Sequence, residues 1–346
     1  MKKRTTIRDV AAHAGVSPAT VSNLLNGKRR FGLDTQARIY AAMEELHFTP
    51  NGLIRALQNR RTNVIGLLIG GMASLGSAVP DATTQPLLAG IYRGADMALQ
   101  DILLYTGWPQ RPARSSGQDF LDGRVDGLIW LAPEQNLAAL ERLAAANLPV
   151  VAILSRRVPE NIGFVDTDNV AGMAAIVRHL IEQGHRRIAY AGPKHASNFI
   201  DRYEGYCQAL EEAGIPYAPE LEFTDNRLRT GEPDVYGEAL DRWRSLAEPP
   251  TAVVVSTDNW AWAMSEAMAE RGIRVPEDMA LTGFDDAPLA RTLCGGLTTM
   301  RQPFYEIGER AVVHLLRLIE GASPSECRET LPVSLMVRNS TRTLVS

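Results

Sequence analysis

The 346-residue sequence has few of the features that mark secreted, membrane-spanning or metal-binding proteins. Its three cysteines, Cys207, Cys294 and Cys327, are too widely spaced for a metal or redox motif, so we expect reduced thiols. No apolar run approaches the roughly 18–20 residues that cross a bilayer, and the N-terminus lacks the apolar core of a signal peptide. The sequence therefore predicts a soluble cytoplasmic protein with no membrane partner.

The motifs of common α/β enzymes are also absent. The first apolar run is followed by GGMASLGS, which lacks the G-x-G-x-x-G spacing of a dinucleotide-binding turn. In GMASLG, Ser74 is one residue away from the G-x-S-x-G spacing of a nucleophile elbow. Neither a phosphate-binding loop nor an H-E-x-x-H motif occurs, and the six histidines are scattered. We therefore expect no catalysis, no metal and no cofactor.

The net charge of −4 is distributed unevenly along the chain. Residues 1–62 carry 11 lysines and arginines against 4 acidic residues, whereas the remainder carries 25 against 36. A basic head on an acidic body is typical of a nucleic-acid-binding module joined to another domain. Charge alone fits a solvated basic arm equally well, so the motifs have to decide.

Three helix signals follow one another within the basic head. The segment TIRDVAAHAG begins with Thr6 as N-cap and Asp9 three residues later, which is a capping box. After a glycine turn, Ser17 caps a second helix that has Pro18 at its first position. A third helix is expected over about 34–47. Two short helices joined by a tight turn and backed by a third indicate a helix-turn-helix.

In a helix-turn-helix, the N-terminal residues of the second helix face base edges in the major groove. The predicted base readers are Pro18, Ala19 and Asn23, because they point away from the apolar face of this helix. Asn23 can bond bidentately to adenine, and Ala19 can pack on a thymine methyl group. An ordinary solvated helix residue is the alternative for Asn23. The predicted phosphate contacts, which position the protein without specifying sequence, are Thr6, Ser17, Thr20, Ser22, Lys28 and Arg29.

A short basic segment, NGLIRALQNRRTN, follows the head. It is too short and too weakened by Gly52 to form a stable free helix, yet Ile54 and Leu57 make an apolar i, i+3 pair. We interpret residues 50–62 as a hinge helix that folds on DNA and places Leu57 as a wedge in the minor groove. A plain basic linker is the alternative.

The sequence resembles the LacI/GalR family of bacterial repressors over nearly its whole length. In the head and hinge the similarity lies in TIRDVAAHAGVSPATVSNLLNG, YAAMEELHFTPN and RTNVIGLLI. Further on it lies in VDTDNVAGMAAIVRHLIEQGHRRIAYAGP, MALTGFDDAPLA, LTTMRQPF and LPVSLMVRNST. The resemblance implies a helix-turn-helix domain over 1–49 and an effector-binding and dimerisation core over 63–346. It also implies a homodimer on pseudo-palindromic double-stranded operator DNA, with Leu57 at a central base step.

Through the core, apolar runs such as VIGLLIG, GLIWLA, PVVAIL and AVVVST alternate with amphipathic helical stretches. This pattern predicts an α/β fold with two doubly wound subdomains of parallel sheet covered by helices. By resemblance, the core is similar to a periplasmic binding protein, and the chain crosses between subdomains near residues 162, 290 and 326. Subdomain N is then 63–162 with 291–325, and subdomain C is 163–290 with 326–346.

Ligands of such sheets bind outside the carboxyl ends of the strands, where this chain has polar residues. The resemblance implies that Arg202 contacts the effector and that Asp285 accepts hydrogen bonds from it. Ser155, Thr257 and Phe304 complete the expected contacts, with Phe304 as an apolar cover. A charged donor, a charged acceptor and an apolar platform suit a hydroxyl-rich ligand. That this ligand is a sugar is implied by the family resemblance and not by these residues. A structural ion pair across the cleft is the alternative for Arg202 and Asp285.

Two departures from the family pattern leave the chemical identity of the effector undetermined. Ser155 stands where many relatives have an aspartate, and the loop over 71–85 is several residues longer than usual. We therefore predict a transcriptional regulator, most simply a repressor, controlled by a carbohydrate. The alternatives are a nucleobase-like effector, or an effector-independent repressor with a vestigial cleft. A transport binding protein is disfavoured by the basic head and the missing signal peptide.

Overall fold

The computed structural model of the protein describes residues 5–25, 29–49, 61–69, 83–105, 116–133, 137–229 and 235–344. The chain divides into two compact units, one of residues 1–64 with 123–126 and one of 65–122 with 127–346. Lys28, Leu57, most of the hinge and most of the long loop over 71–85 lie outside the described residues. None of the described helices is long and apolar enough to cross a membrane.

The head contains three helices, α1 (Ile7–His13), α2 (Pro18–Leu25) and α3 (Leu33–Glu45). The capping box at the start of α1 is present, because the Thr6 hydroxyl accepts from the Asp9 N–H and the Asp9 carboxylate accepts from the Thr6 N–H. Gly15 has a φ of 65°, which permits the tight turn into α2. A small core closes the three helices, with Val10, Val21 and Ile39 fully buried.

The larger unit contains a six-stranded sheet with the strand order β11-β5-β4-β3-β1-β2. We call this sheet and its helices lobe 1. Its strands are β1 (Val64–Ile69), β2 (Asp101–Tyr105), β3 (Gly127–Leu131), β4 (Val150–Ile153), β5 (Gly163–Thr167) and β11 (Arg328–Leu331). Its helices are α4 (Thr84–Met97), α5 (Leu137–Ala145) and α10 (Phe304–Ile319). The central strands are apolar and buried, and β1, β3, β4, β5 and β11 pair in parallel.

Lobe 2 is built on a four-stranded parallel sheet with the order β7-β6-β8-β9 and on an antiparallel pair, β10 with β12. Its strands are β6 (Ile188–Ala191), β7 (Glu222–Phe223), β8 (Ala252–Val255), β9 (Ala280–Thr282), β10 (Thr299–Arg301) and β12 (Ser334–Met336). Its helices are α6 (Asn169–Glu182), α7 (Ser197–Glu212), α8 (Val235–Arg244) and α9 (Asp258–Glu270). The predicted fold class, parallel sheets covered by helices behind a helix-turn-helix head, is confirmed.

The chain passes between the two lobes after Thr167, Arg301 and Leu331. These passages differ from the expected positions near 162, 290 and 326. The reason is strand pairing: β5 pairs with β4 and β11 in lobe 1, whereas β10 pairs with β12 in lobe 2. An apolar run shows that a strand is buried, but it does not show which strand lies beside it.

Helices α6 and α7 approach each other closely at a glycine. A Cβ atom at Gly205 of α7 would lie 2.2 Å from the carbonyl oxygen of Val170 in α6. The two backbones would have to move apart to admit any side chain there. This contact fixes the distance between the helix that follows the first crossover and the helix that carries Arg202.

Gly205→Ala is expected to lower the free energy of unfolding by about 1–3 kcal/mol, because separating the helices costs more than the better helix propensity of alanine returns. Urea unfolding of the full chain measures the change. Gln208→Ala, at an exposed position of the same helix, is the control and should stay within about 0.5 kcal/mol of the wild type. Equal stability of the two variants would show that the close approach adjusts at no cost.

Candidate functional sites

The start of α2 presents the predicted base readers at the surface of the head. Val21 is fully buried in the head core. At about 100° per residue, Ala19 and Asn23 lie on the helix face opposite to Val21. Pro18 and Ala19 are exposed and Asn23 is half-buried. The face that a major groove would meet is therefore accessible, as the helix-turn-helix interpretation requires.

Hydroxyl groups among the predicted phosphate contacts cap helices in the free protein. The Ser17 Oγ accepts from the Thr20 N–H at 3.0 Å, and the Ser17 and Thr20 hydroxyls are 2.8 Å apart. The Thr6 hydroxyl donates to the Asp9 carboxylate at 2.7 Å. Arg29 is exposed, with its guanidinium carbon 5.8 Å from the centre of the Phe31 ring. The roles of these residues and of the half-buried Ser22 toward DNA stay predictions.

Arg202 is held from several sides within lobe 2. It is only 2% exposed, and its Nε donates to the Asn169 Oδ1 at 2.9 Å. Its Nη1 donates to the backbone oxygen of Ser256 at 2.5 Å, and its Nη2 lies 3.7 Å from the Asp285 Oδ1. The guanidinium also stacks on Phe284, 3.8 Å from the ring centre. Burial lowers the pKa of Arg202 from its ordinary value, and the Asp285 carboxylate opposes this shift.

Asp285 connects Arg202 to the region where the lobes join. The Gln302 Nε2 donates to the Asp285 Oδ1 at 2.6 Å, and the Gln302 Oε1 accepts from the Thr167 hydroxyl at 2.8 Å. Arg202 and Asp285 therefore lie close together within lobe 2, so the ion pair considered as the alternative is present but does not cross between the lobes. Their predicted contact with an effector stays a prediction. Their link to lobe 1 runs through Gln302. Asp285 also has a φ of 132°, a strained value for a residue with a side chain and one that is often found at functional sites.

A second buried carboxylate, that of Asp258 at the start of α9, belongs to the same region. Its Oδ1 accepts from the Thr299 hydroxyl at 2.6 Å and its Oδ2 from the Ala287 N–H at 2.7 Å. Burial, together with the nearby charge of Asp285, raises the pKa of Asp258 to about 7. The predicted contact Thr257 caps α9, since its hydroxyl accepts from the Trp260 N–H at 3.3 Å.

The two predicted effector contacts in lobe 1 have little accessible surface. Ser155 follows β4 and is fully buried. Phe304, at the start of α10, is 6% exposed and packs in the apolar core of lobe 1. The small accessible area of Phe304 leaves little surface with which to cover a ligand.

An aromatic row near Arg202 was missed in the sequence. The ring of Phe199 lies 5.0 Å from that of His195, 5.1 Å from that of Trp260 and 5.6 Å from the guanidinium carbon of Arg202. All three rings are half-buried. They belong to segments that follow β6 and β8, so they lie at the carboxyl edge of the lobe 2 sheet, where ligands of such sheets bind. The available signal was an aromatic residue, Phe199 or Trp260, in the first turn of each of the two helices that follow β6 and β8.

Known protein families match both the head and the larger unit of the chain. The family model "Bacterial regulatory proteins, lacI family" matches residues 6–51, and the model "Periplasmic binding protein-like domain" matches residues 177–341. The ribose operon repressor of Halalkalibacterium halodurans is 32% identical over 347 residues, covering 98% of this chain and 97% of that protein.

Two solved structures have a similar fold. The lac repressor dimer bound to operator and the anti-inducer ONPF has a TM-score of 0.79 at 27% identity, covering 98% of this chain and all of that one. A complex of the transcriptional regulator CelR with cellobiose has a TM-score of 0.71 at 29% identity, with the same coverage.

Proposed function

Because this chain belongs to the LacI family of bacterial regulatory proteins, whose members compared above are transcriptional regulators and not enzymes, we propose that it is a cytoplasmic repressor controlled by a carbohydrate. The observation that carries this proposal is the buried polar cluster of Arg202, Asp285 and Gln302, in a chain whose head is a helix-turn-helix. Two such chains would bind a pseudo-palindromic operator as a homodimer, since the symmetry of a dimer is mirrored in its site.

On the DNA side, we propose that Pro18, Ala19 and Asn23 face base edges. Thr6, Ser17, Thr20, Ser22, Lys28 and Arg29 would contact phosphates, and Leu57 would enter the minor groove. Ser17 and Thr20 support this assignment, because they stand at the N-terminus of α2, where the helix dipole favours an anion.

Asn23→Ala is expected to relax base preference at one position of each half-site by about 1–3 kcal/mol, because the side-chain amide would no longer distinguish the bases. Selection of bound sequences from a random DNA pool measures the preference. Arg29→Ala is the matched control: a lost phosphate contact weakens all sequences equally and reduces the salt dependence of binding. An unchanged sequence preference in Asn23→Ala would remove this residue from the set of base readers.

On the effector side, the buried cluster offers charged and amide groups that suit hydroxyls, and the aromatic row offers an apolar face. Neighbouring rings of that row are about 5 Å apart and touch each other, which leaves no gap for a flat base between them. A half-buried ring of this row would pack against the apolar face of a sugar ring. The complex of CelR with cellobiose and the ribose operon repressor are consistent with a carbohydrate.

Thermal unfolding of the purified full chain against sugars, sugar phosphates and nucleobases tests the effector. A ligand at about 100 times its Kd adds about 2.7 kcal/mol, which should raise Tm by a few degrees. We expect a sugar to produce the rise. A rise in Tm with a nucleobase would contradict the carbohydrate and support the alternative effector. No rise in Tm with any compound would favour a regulator with a vestigial cleft.

A further inference from the structure

Two arginines of lobe 1 reach a buried carboxylate of lobe 2. Arg156 and Arg157 follow β4, and Asp201 lies in α7 with a side chain that is 0% exposed. The Arg156 Nε donates to the Asp201 Oδ2 at 2.6 Å, and the Arg157 Nη2 donates to the Asp201 Oδ1 at 2.8 Å. Each oxygen of this carboxylate therefore accepts a charge-assisted bond from the opposite lobe.

The contact of Arg156 and Arg157 with Asp201 lies away from the crossovers that join the lobes. The bond from Thr167 to Gln302 lies at residues where the chain itself crosses over. Neither Arg156 nor Asp201 lies at one of the three crossovers, so the distance between their side chains depends on how the lobes are placed. Asp201 directly precedes Arg202 in α7, and this places the contact beside the proposed effector cleft.

The energetics of a buried charge make the contact sensitive to lobe movement. A carboxylate out of water is unfavourable unless it is paired and hydrogen-bonded. The arginine side chains are 32% and 49% exposed, so they remain hydrated in part if the contact breaks. Moving the lobes apart therefore breaks two short ion-pair bonds and hydrates the charged groups that made them. The equilibrium between lobe arrangements consequently depends on these three residues.

We propose that Arg156, Arg157 and Asp201 form an interlobe latch that stabilises the lobe arrangement seen here and sets the regulator's balance between its two DNA-binding states. This inference rests on the proposed function, in which the effector binds between the same lobes. An effector shifts such a balance only through its different affinity for the two states. Loss of the latch shifts the same balance with no effector present.

The test compares operator affinities of full-length variants without any added ligand, on the DNA sequence that the wild type enriches from a random pool. Asp201→Asn keeps the shape of the side chain and removes its charge, and is expected to change operator affinity at least about tenfold. Glu204→Gln is the matched control, because Glu204 is exposed on the same helix and lies 3.7 Å from the Arg157 Nη2. It should stay within about twofold of the wild type.

Arg156→Gln and Arg157→Gln keep the test decisive if Asp201→Asn folds poorly, since both arginines are partly exposed. Each should shift operator affinity in the same direction as Asp201→Asn. An Asp201→Asn variant that loses thermal stability but keeps wild-type operator affinity would show a purely structural ion pair and overturn the latch. Equal shifts in Asp201→Asn and Glu204→Gln would overturn it as well.

A selection in which the wild type enriches no sequence would refute the proposed function rather than the latch. Small-angle X-ray scattering then decides without DNA. The radius of gyration must rise in Asp201→Asn and not in Glu204→Gln, and an unchanged radius in both would overturn the latch.

Discussion

Replacing Arg202 with methionine is expected to lower the free energy of unfolding by about 3–5 kcal/mol, the usual loss when one member of a buried pair is removed. Methionine has a similar length but no donors. The Asn169 Oδ1 and the Ser256 carbonyl would each lose a bond, and Asp285 would keep its charge with its nearby cation removed. The variant should also lose the thermal response to every sugar that stabilises the wild type.

Urea unfolding and the ligand panel together separate the two interpretations of this pair. The double variant Arg202→Met with Asp285→Asn should recover about 1–2 kcal/mol relative to the sum of the single changes, because it no longer buries an unpaired charge. Strict additivity would mean that the 3.7 Å contact contributes little. A folded Arg202→Met variant that still responds to a sugar would assign Arg202 a structural role alone.

Asp258 is also expected to contribute a fall in the free energy of unfolding as pH rises from about 5 to 8. Its pKa is raised to about 7 in the folded chain by burial and by the charge of Asp285, against about 3.9 in an unfolded chain. Between these values the folded chain holds a proton that the unfolded chain has released. The contribution of Asp258 to stability therefore declines with rising pH, by about 2–3 kcal/mol across this window.

Asp258→Asn isolates this effect, because an amide does not titrate. Its oxygen can accept from the Ala287 N–H, and its NH2 group can donate to the Thr299 hydroxyl, which donates to the carboxylate in the wild type. Burial lowers the pKa values of His179 and His185. These histidines reduce stability as pH falls below about 6.5, which is the opposite trend. They are present in both proteins and cancel in the difference between the two pH profiles. A flat difference would mean that Asp258 stays ionised throughout.

The parts of the fold that sequence could predict are those governed by neighbours along the chain. The capping box at Thr6, the cap at Ser17 and the proline at position 18 act within three residues, and the structure has all three features. Buried strands can also be predicted from their apolar composition. The crossovers could not be placed in this way, because β5 pairs with β11 from a distant part of the chain.

The residues of the candidate site likewise differ in whether the sequence could predict them. Arg202 and Asp285 could be named from the family resemblance, but their partners Asn169 and Gln302 lie on different elements and are brought together only by the packed fold. Asp201 was overlooked for a similar reason, since the arginines that bind it belong to the other lobe. Phe304 carries the expected aromatic ring, but α10 directs it into the core of lobe 1.

The burial of Arg202 has a consequence for how a protein of this design can diverge. Its guanidinium is anchored on Asn169 and on a backbone carbonyl, so a change there disturbs the support of the site as well as its chemistry. Phe199 and Trp260 are half-buried, and their ring centres lie 5.1 Å apart. Under the proposed function, substitutions in the aromatic row are therefore expected to change effector specificity at a lower cost in stability than substitutions in the charged cluster. Engineered biosensors would begin from the same two positions.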